Sequence, residues 1–519
     1  MQIKKVFSKI LAASLASALL ISCVSAAAPQ KTLSDAVSNK GKVTTTASAT
    51  TGKKPKYVFM FIGDGMSYPQ FQAASDYLGA VADQDNDDIL DGNKPLNFMN
   101  FPVAGSAVTY DSTSFCPDSA STATSLSTGH KTYSGTINMD ETMTVKYETI
   151  AEKLHDKGYD IGVVSSVNLN HATPAAFYCH QPSRSNYYAI GEEMVASDFD
   201  YFAGGALLDP QGKEGDQESI YDKAEKAGYK VVKTQAEAEK VSAKDEKVVI
   251  IGEKLADSDS ISYENDRASG EWALADYVSK GIEVLSDNDK GFFMMVEGGK
   301  IDWACHANDA GSTINDTIAL ADAVEEAVAF AKKHPDDTLI LVTGDHETGG
   351  LTIGYAGTDY DTYLTNLSNQ KISYAKFDSD YVSQYKENQT PFETMMQDVE
   401  KLFGLKLKGS ADDKLVLTDY EVGLLKTAYE KTLSGKKADS DNQKEYVLYG
   451  SYEPLSVTIT HLLNNKSGIS FSSYAHTGLP VAVFAKGAGQ EKFGGFYDNT
   501  QVYHKLADLM CRFVKHIGQ

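Results

Sequence analysis

Mostly apolar runs of five to seven residues constrain the fold of this chain more than any other feature. They occupy residues 57–62, 161–167, 291–296 and 338–342. Residues 57–62, for example, read YVFMFI without interruption, which is typical of strands covered on both faces of a sheet. Helical patterns lie at 149–157 and 315–333. This alternation of strand and helix predicts an α/β fold with a largely parallel sheet.

Carboxylate or imidazole side chains follow or end each of these four predicted strands. The segments are Gly63-Asp64-Gly65-Met66, Asn170-His171-Ala172-Thr173-Pro174, Glu297-Gly298-Gly299 and Thr343-Gly344-Asp345-His346-Glu347. Gly and Asp are common where a strand meets a loop, and that explanation suffices for any single segment. Because parallel sheets bind ligands beyond the carboxyl ends of their strands, four such segments together favour a functional site.

The segment 116–135 is rich in small side chains and predicts a helix with an exposed functional start. Asp118 is a good N-cap, and Gly129 suits the helix exit. Ser119 would then lie at a helix N-terminus, where free N–H groups favour an anion. The alternative interpretation is a tight helix of small residues packed against the sheet.

Several side chains have the types and spacings of metal ligands. Asp302 and His306 are four residues apart and share one face if their segment is helical, while Asp345 and His346 are adjacent. Imidazole with carboxylate favours Zn²⁺, and carboxylate with hydroxyl and water favours Mg²⁺. Two zinc ions and one magnesium fit the set better than a single centre. The candidate ligands are Asp64, Thr173, Glu297, Asp302, His306, Asp345, His346 and His476.

The net charge of the chain argues against nucleic acid as its main partner. The 519 residues carry a formal charge of -23, whereas phosphate backbones are bound by clustered Lys and Arg. A hydrophobic fraction of 42% allows a sizeable core. Five cysteines are too few for a disulfide scaffold in so long a chain. The absence of a CxxC spacing argues against a zinc site made of cysteines.

The first 28 residues have the pattern of a signal peptide, with early lysines and a short apolar stretch. Leu20-Ile21-Ser22-Cys23 resembles the lipobox of bacterial lipoproteins, which would anchor the chain through lipid on Cys23. Residues 25–28 offer an alternative, ordinary cleavage site. Because residues 29–54 read as a flexible tether rich in Ser, Thr, Ala and Lys, the lipid anchor is slightly favoured. We expect an exported protein, either a cell-envelope lipoprotein or periplasmic or extracellular.

Residues 55–519 would form the main domain, with a peripheral insertion at about 358–450. Helix starts are expected at Thr390–Glu393, as a capping box with Pro391 at the first helical position, and at Thr418–Glu421. No chemistry is assigned to this insertion.

The chain resembles the alkaline phosphatase family from residue 55 onward, on eight segments in the family's order. These are Gly63–Met66, Asp118–Ala123, Ala172–Pro174, Ser183-Arg184, Val296–Gly298, Asp302–His306, Thr343–His346 and His476–Gly478. The resemblance implies a three-layer α/β/α sandwich around a large, mostly parallel sheet. It also implies hydrolysis of small phosphate monoesters with a broad substrate range, and a homodimer.

The resemblance further implies a role for each matched residue. Ser119 would be the nucleophile, phosphorylated during the reaction, and Arg184 would bind two phosphate oxygens. The first zinc would be held by Asp302, His306 and His476. The second zinc would be held by Asp64, Asp345 and His346. Asp64 would bridge to a magnesium ion held with Thr173 and Glu297.

Two positions depart from some members of the family. His171 stands where some members carry Asp, and Trp303 where some carry Lys. For His171, direct ligation of the third metal, ligation through water and simple packing all stay open. The rival functions are a phosphodiesterase or sulfatase of the same superfamily, and a non-catalytic surface protein that binds metal or phosphate.

Overall fold

A ten-stranded sheet forms the centre of the computed structural model. The strand order is β14-β2-β13-β8-β1-β7-β3-β4-β6-β5. The ten strands are β1 Tyr57–Gly63, β2 Val103–Val108, β3 Asp160–Asn168, β4 Tyr201–Gly205, β5 Lys230–Val232, β6 Val248–Ile251, β7 Phe292–Gly298, β8 Thr338–Gly344, β13 Val481–Gly487 and β14 Gly495–Asp498. Within this described sheet, β13 alone runs antiparallel to its neighbours. The predicted α/β class with a mostly parallel sheet is confirmed.

The structure describes residues 54–83, 90–410, 412–436, 438–439 and 441–511. The predicted signal peptide, Cys23 and all of the predicted tether except residue 54 lie outside these ranges. Two small antiparallel pairs accompany the main sheet. They are formed by β9 Glu347–Thr348 with β12 His476–Thr477, and by β10 Thr352–Ile353 with β11 Ile469–Ser470.

Helices cover both faces of the sheet and fill the connections. They are α1 Tyr68–Ala82, α2 Ser119–Thr128, α3 Ile150–His155, α4 Ala172–Ala175, α5 Tyr187–Ala196, α6 Ile220–Lys226, α7 Gln235–Ala238, α8 Leu274–Leu285, α9 Lys300–His306, α10 Ala310–Lys333, α11 Tyr374–Phe377, α12 Ser383–Asn388, α13 Phe392–Phe403, α14 Asp419–Leu433, α15 Gln443–Tyr449, α16 Pro454–Lys466 and α17 Thr500–Cys511. No helix within the described ranges is long and apolar enough to cross a membrane.

Two hydrophobic cores lie on opposite faces of the sheet. Phe59 and Phe61 of β1 pack into one core with α8 and α10, while Val58 and Met60 pack into the other with α2 and α17. Successive side chains of a strand point to opposite faces, so an unbroken apolar strand feeds both cores. The result is a three-layer α/β/α sandwich, as the family resemblance implied.

The predicted helix boundaries need two corrections. The long helix begins at Ala310 rather than 315, because Asp309 caps it by accepting from Ser312 N. At 390–393, Pro391 is the N-cap residue and its carbonyl oxygen accepts from Met395 N, so the expected capping box with Pro391 at the first helical position is wrong.

The region from 358 to about 450 supplies buried apolar side chains to the first core. Met395, Val399 and Phe403 of α13 belong to it, and α14 packs against α16. Its description as a peripheral insertion stays a prediction. No disulfide joins the four described cysteines, of which Cys179 and Cys305 are buried.

Candidate active site

The carboxyl edge of the central strands gathers the predicted site residues. The register pairs Gly63 at the end of β1 with Gly298 of β7 and with Gly344 of β8. Asp64 and Asp345 directly follow two of these paired glycines, so their carboxylates start from the same edge. The site therefore lies where parallel α/β sheets bind ligands.

Ser119 is the first residue of α2 and is almost fully buried. Asp118 caps the helix, since its Oδ1 accepts from Ser121 N at 3.1 Å. The Oγ of Ser119 lies 3.1 Å from Nε2 of His346 and 3.4 Å from Oδ1 of Asp64. The free N–H groups of this helix start favour an anion beside the hydroxyl.

Arg184 is held beside the start of α2 by two side chains. Its Nη1 donates to Oδ2 of Asp118, and its Nη2 donates to Nε2 of His171, both at 2.9 Å. Because a guanidinium only donates, His171 Nε2 is the acceptor, which leaves the proton of the neutral ring on Nδ1. With 28% of its side chain exposed, Arg184 remains accessible to a small anion.

Asp64, Asp345 and His346 form a fully buried cluster. Nε2 of His346 lies 3.2 Å from Oδ1 of Asp64 and 3.3 Å from Oδ2 of Asp345. Burial acts to lower the pKa of His346, but the Asp345 and Asp64 carboxylates raise it to about 10. Burial and the charge of Asp64 raise the pKa of Asp345 well above its usual value. Two buried carboxylates thus share one imidazole, and a divalent cation would stabilise the ionised form of both carboxylates.

Asp302, His306 and His476 form the next cluster. Nδ1 of His306 lies 2.6 Å from the carbonyl oxygen of Tyr474, and Nδ1 of His476 lies 2.5 Å from that of Pro117. Since a carbonyl oxygen only accepts, both Nδ1 atoms donate, and in neutral rings both Nε2 atoms carry lone pairs. These two Nε2 atoms lie 3.0 Å apart. Oδ2 of Asp302 lies 3.4 Å from Nε2 of His306. The facing lone pairs repel each other unless a proton or a metal cation lies between them.

The two clusters adjoin each other. The rings of His346 and His476 stack with centroids 3.6 Å apart. Ligand atoms of Asp302, His346 and His476 also lie within 4.8 Å of one another. The structure thus places all six predicted zinc ligands in one continuous region, in which the two predicted ligand sets share a boundary.

A third group consists of Asp64, His171 and Glu297, whose ligand atoms lie within 4.8 Å of one another. The Oδ2 of Asp64 accepts from Oγ1 of Thr173 at 3.0 Å, while its Oδ1 faces His346, so one carboxylate borders two sites. Among the described residues, Nδ1 of His171 and Oε1 of Glu297 are buried without a hydrogen-bond partner. The two atoms lie 3.5 Å apart. Buried polar atoms normally have partners, so the carboxylate oxygen Oε1 fits a bound cation, whereas the protonated Nδ1 fits a water molecule on that cation, to which it can donate.

Hydroxyl groups that the sequence did not single out hold the predicted ligands in place. Oγ1 of Thr348 donates to Oδ1 of Asp302 at 2.5 Å, and Oγ1 of Thr122 donates to Oδ2 of Asp345 at 2.9 Å. Ser165 also donates to the Glu297 carboxylate. These contacts leave no spacing pattern in the sequence because they join separate strands and helices.

Glu347 is a further buried carboxylate, to which no sequence motif assigns a role. Its Oε1 accepts from Nε2 of Gln70 at 2.7 Å, and its Oε2 accepts from Gly350 N at 3.1 Å and from the Thr477 hydroxyl. Glu347 therefore connects α1 and the turn at Gly350 to the residue beside His476. The feature of the sequence that points to Glu347 is its position directly after the candidate ligands Asp345 and His346.

The fold and this site together place a buried serine hydroxyl among clusters of side chains that suit metal ions. A model of the family described as alkaline phosphatase matches residues 55–512. Alkaline phosphatase 4 of Bacillus subtilis (strain 168) is 30% identical over 451 residues, which cover 85% of this chain and 86% of that protein. The chain belongs to the alkaline phosphatase family, whose members are metal-dependent phosphoric monoester hydrolases.

Solved structures agree with this assignment. The cold-active alkaline phosphatase from the psychrophile Shewanella sp. aligns with a TM-score of 0.71 at 27% identity, over 88% of this chain and 100% of that one. A histidine-to-glutamate variant of TAB5 alkaline phosphatase, with Mg bound in its M3 site, aligns with a TM-score of 0.59 at 25% identity, over 88% and 98% of the two chains.

Proposed function

We propose that this chain hydrolyses phosphate monoesters in two steps through a phosphoserine at Ser119. The observation that carries the proposal is the position of the Ser119 hydroxyl, at a helix N-terminus and within 3.4 Å of both His346 and Asp64. A serine hydroxyl is a weak nucleophile unless its surroundings stabilise the alkoxide. The ligand cluster around Ser119 supplies such surroundings.

In the first step, Oγ of Ser119 attacks phosphorus in line, and the bond between phosphorus and the alcohol oxygen breaks. The alcohol gains a proton and leaves, and the serine hydroxyl loses one. In the second step, water attacks the phosphoserine, which releases inorganic phosphate and restores the hydroxyl. Two in-line displacements predict net retention of configuration at phosphorus.

Arg184 and the start of α2 are proposed to position the phosphate. The guanidinium presents parallel N–H donors that match two phosphate oxygens, and the N–H groups of the helix start add further positive potential. Little acid–base chemistry is needed in phosphoryl transfer, so positioning and charge stabilisation dominate. Asp118 keeps Arg184 beside Ser119 through the 2.9 Å ion pair.

We propose two zinc ions and one magnesium ion as the cofactors. The first zinc would be held by Asp302, His306 and His476, and the second by Asp64, Asp345 and His346. Asp64, Thr173 and Glu297, with His171 close by, would hold the magnesium. Magnesium bound in a variant of the related TAB5 enzyme supports magnesium as one of the cofactors. Bound cations of this kind stabilise negative charge on the attacking and leaving oxygens and lower the pKa of water.

Substitution of the nucleophile tests the mechanism. In zinc- and magnesium-replete protein, Ser119→Ala should abolish hydrolysis of an aryl monophosphate, and acid-quenched wild type should carry a phosphate on Ser119 by peptide mass spectrometry. Undiminished turnover by Ser119→Ala would refute the role of the serine. Ser127→Ala is the matched control, since Ser127 is a buried serine of the same helix that contacts Asn138 instead of a proposed ligand.

Substrate preference separates the proposed activity from its relatives in the superfamily. Aryl monophosphate should be hydrolysed faster than bis-aryl phosphate or aryl sulfate, because Arg184 offers donors to unesterified phosphate oxygens. Faster hydrolysis of the diester or sulfate would replace the proposal with the corresponding activity. No turnover at all in metal-replete wild type would support a binding protein.

We further propose that the chain is exported and anchored by lipid on Cys23, and that it works as a homodimer. The basic start, the apolar stretch and the lipobox-like sequence support export and the anchor. Mass spectrometry of the mature N-terminus tests the anchor, and light scattering of the metal-replete protein tests the dimer.

A further inference from the structure

Asn308 connects the two segments that carry His306 and His476. Its Nδ2 donates to the carbonyl oxygens of Cys305 at 2.9 Å and of Ser473 at 2.8 Å. Cys305 directly precedes His306 in α9, and Ser473 lies three residues before His476. Asn308 is only 2% exposed, and its amide group therefore fixes the distance between the backbone at Cys305 and the backbone at Ser473, close to the facing imidazoles.

The remaining polar groups of Asn308 fix the orientation of that amide. Its Oδ1 lies 3.0 Å from Nε2 of His461, and its carbonyl oxygen accepts from Nδ2 of Asn464 at 2.7 Å. Burial lowers the pKa of His461 to about 4, so the ring is neutral and Nε2 carries its single proton toward Asn308. Both partners belong to α16, which thus anchors Asn308 from a third direction.

The backbone of Asn308 is in the left-handed region, with φ of +51°. Asparagine tolerates this conformation better than most other residues with a side chain. Glycine adopts it without strain, which provides a substitution that removes the amide and keeps the backbone.

We propose that Asn308 is a positioning residue for the metal centre of Asp302, His306 and His476. By joining the end of α9 to the segment before His476, Asn308 holds the two Nε2 atoms at a separation at which both can bind one ion. This inference rests on the proposed function, in which these three residues bind the first zinc. Partners that orient metal ligands typically contribute about 10- to 100-fold to metal affinity.

Zinc competition with a chelator on the full protein tests the inference. Asn308→Gly should weaken one of the two zinc affinities about 10- to 100-fold. At limiting zinc the variant should lose activity toward an aryl monophosphate, and saturating zinc should restore it. His476→Ala, which removes a proposed ligand of this centre, identifies the affinity that changes. Asn308→Asp should also weaken it, because a carboxylate oxygen would face two carbonyl oxygens.

Asn138 offers a matched control elsewhere in the fold. It is fully buried with φ of +50°, and its Nδ2 donates to the carbonyl oxygens of Ala176 at 2.7 Å and Cys179 at 2.8 Å. Asn138→Gly should lower the melting temperature of the metal-free protein about as much as Asn308→Gly. It should leave the zinc affinity of the His306 and His476 centre unchanged.

Two outcomes would overturn the inference, and they are distinguishable. If Asn308→Gly keeps both zinc affinities of the wild type while its melting temperature falls as in Asn138→Gly, Asn308 has only a structural role. If wild type itself binds no zinc at this centre or lacks monoesterase activity, the proposed function fails first, and that result is visible before any variant is compared.

Discussion

Arg184 donates to Asp118 at 2.9 Å, and Asp118 is the residue that caps the helix beginning at Ser119. One carboxylate thus has two tasks, since Oδ1 caps the helix and Oδ2 holds the guanidinium. Burial acts to raise the pKa of Asp118, but Arg184 and the N–H donors outweigh it and lower that pKa. Asp118 therefore stays ionised and competes with phosphate for the arginine.

Substitution of Asp118 should separate these two tasks. Asp118→Asn keeps a good cap and removes the negative charge, so we expect nearly unchanged stability and tighter inhibition by inorganic phosphate. Asp118→Ala should show the same change in inhibition and lose about 1 kcal/mol of unfolding free energy with the cap. Steady-state inhibition and urea denaturation measure the two effects. Weaker inhibition in Asp118→Asn would show that the ion pair assists phosphate binding.

Substitution of Arg184 should act on catalysis and leave the fold intact. Arg184→Lys keeps the charge and loses the two-pronged donor, so we expect kcat/KM for an aryl monophosphate to fall about 10- to 100-fold, in line with the 1.5–3 kcal/mol typical of hydrogen bonds to charged groups. Arg184→Ala should cost more. Lys223→Ala, on an exposed ion pair with Glu192, is a charge-matched control expected to keep full activity. Equal activity of Arg184→Lys and wild type would contradict the phosphate contact.

Removal of metal should destabilise the protein because it uncovers buried negative charge. Asp64, Glu297 and Asp345 are fully buried, and Asp64 and Asp345 share a single imidazole, that of His346. Binding at a thousand times the dissociation constant contributes about 4 kcal/mol per site. Thermal unfolding with and without chelator should therefore show a clear drop in melting temperature, reversed by zinc and magnesium together. An unchanged melting temperature would contradict metal binding at these clusters.

The stability of the protein should depend on pH through His180, outside the site. Its ring lies 3.4 Å from Glu152 and 3.7 Å from Glu193. Burial acts to lower the pKa of His180, but Glu152 and Glu193 raise it to about 9. Since the folded pKa exceeds the unfolded value of 6.5, its stabilising contribution is full below pH 6.5 and is lost as the pH rises through about 9.

His180→Gln should therefore cost most at pH 6 and least at pH 10. We expect a loss of about 1–2 kcal/mol at pH 6, measured by urea denaturation with saturating metals. In a Glu152→Gln background the same substitution should cost less, because one of the two acidic partners is absent. A cost that is independent of pH would contradict the ionic role of His180.

Much of the fold could be predicted because the central strands carry unbroken apolar runs. β1, β7 and β8 follow directly from such runs, and their parallel register places Asp64 beside Asp345. The outer strands are harder to predict from the sequence. β2 reads VAGSAV and β5 has three residues, so neither shows a run that differs from a loop or a short helix.

The site residues also fall into two groups, those that local spacing in the sequence reveals and those that only tertiary packing brings together. Asp302 and His306 are local neighbours on one helical turn, so their spacing could be read from the sequence. His476 and the Thr348 hydroxyl reach the same region only through tertiary packing, which no local spacing reveals. The direction of β13 and the network around Asn308 belong to this second kind, because both depend on segments far apart in the chain.

The reversed direction of β13 has a consequence for when the enzyme becomes active. The strands β1, β3, β7 and β8 bring their proposed ligands to the site at their carboxyl ends, whereas His476 lies before β13 in the chain. His476 and Pro117, which meet at 2.5 Å, are 359 residues apart. Proteins are synthesised amino end first, so the serine and most ligands are made long before the last histidine. We expect a nascent chain, or one truncated before His476, to leave the phosphate esters around it intact, and hydrolysis to begin only after the segment that carries His476 has been made.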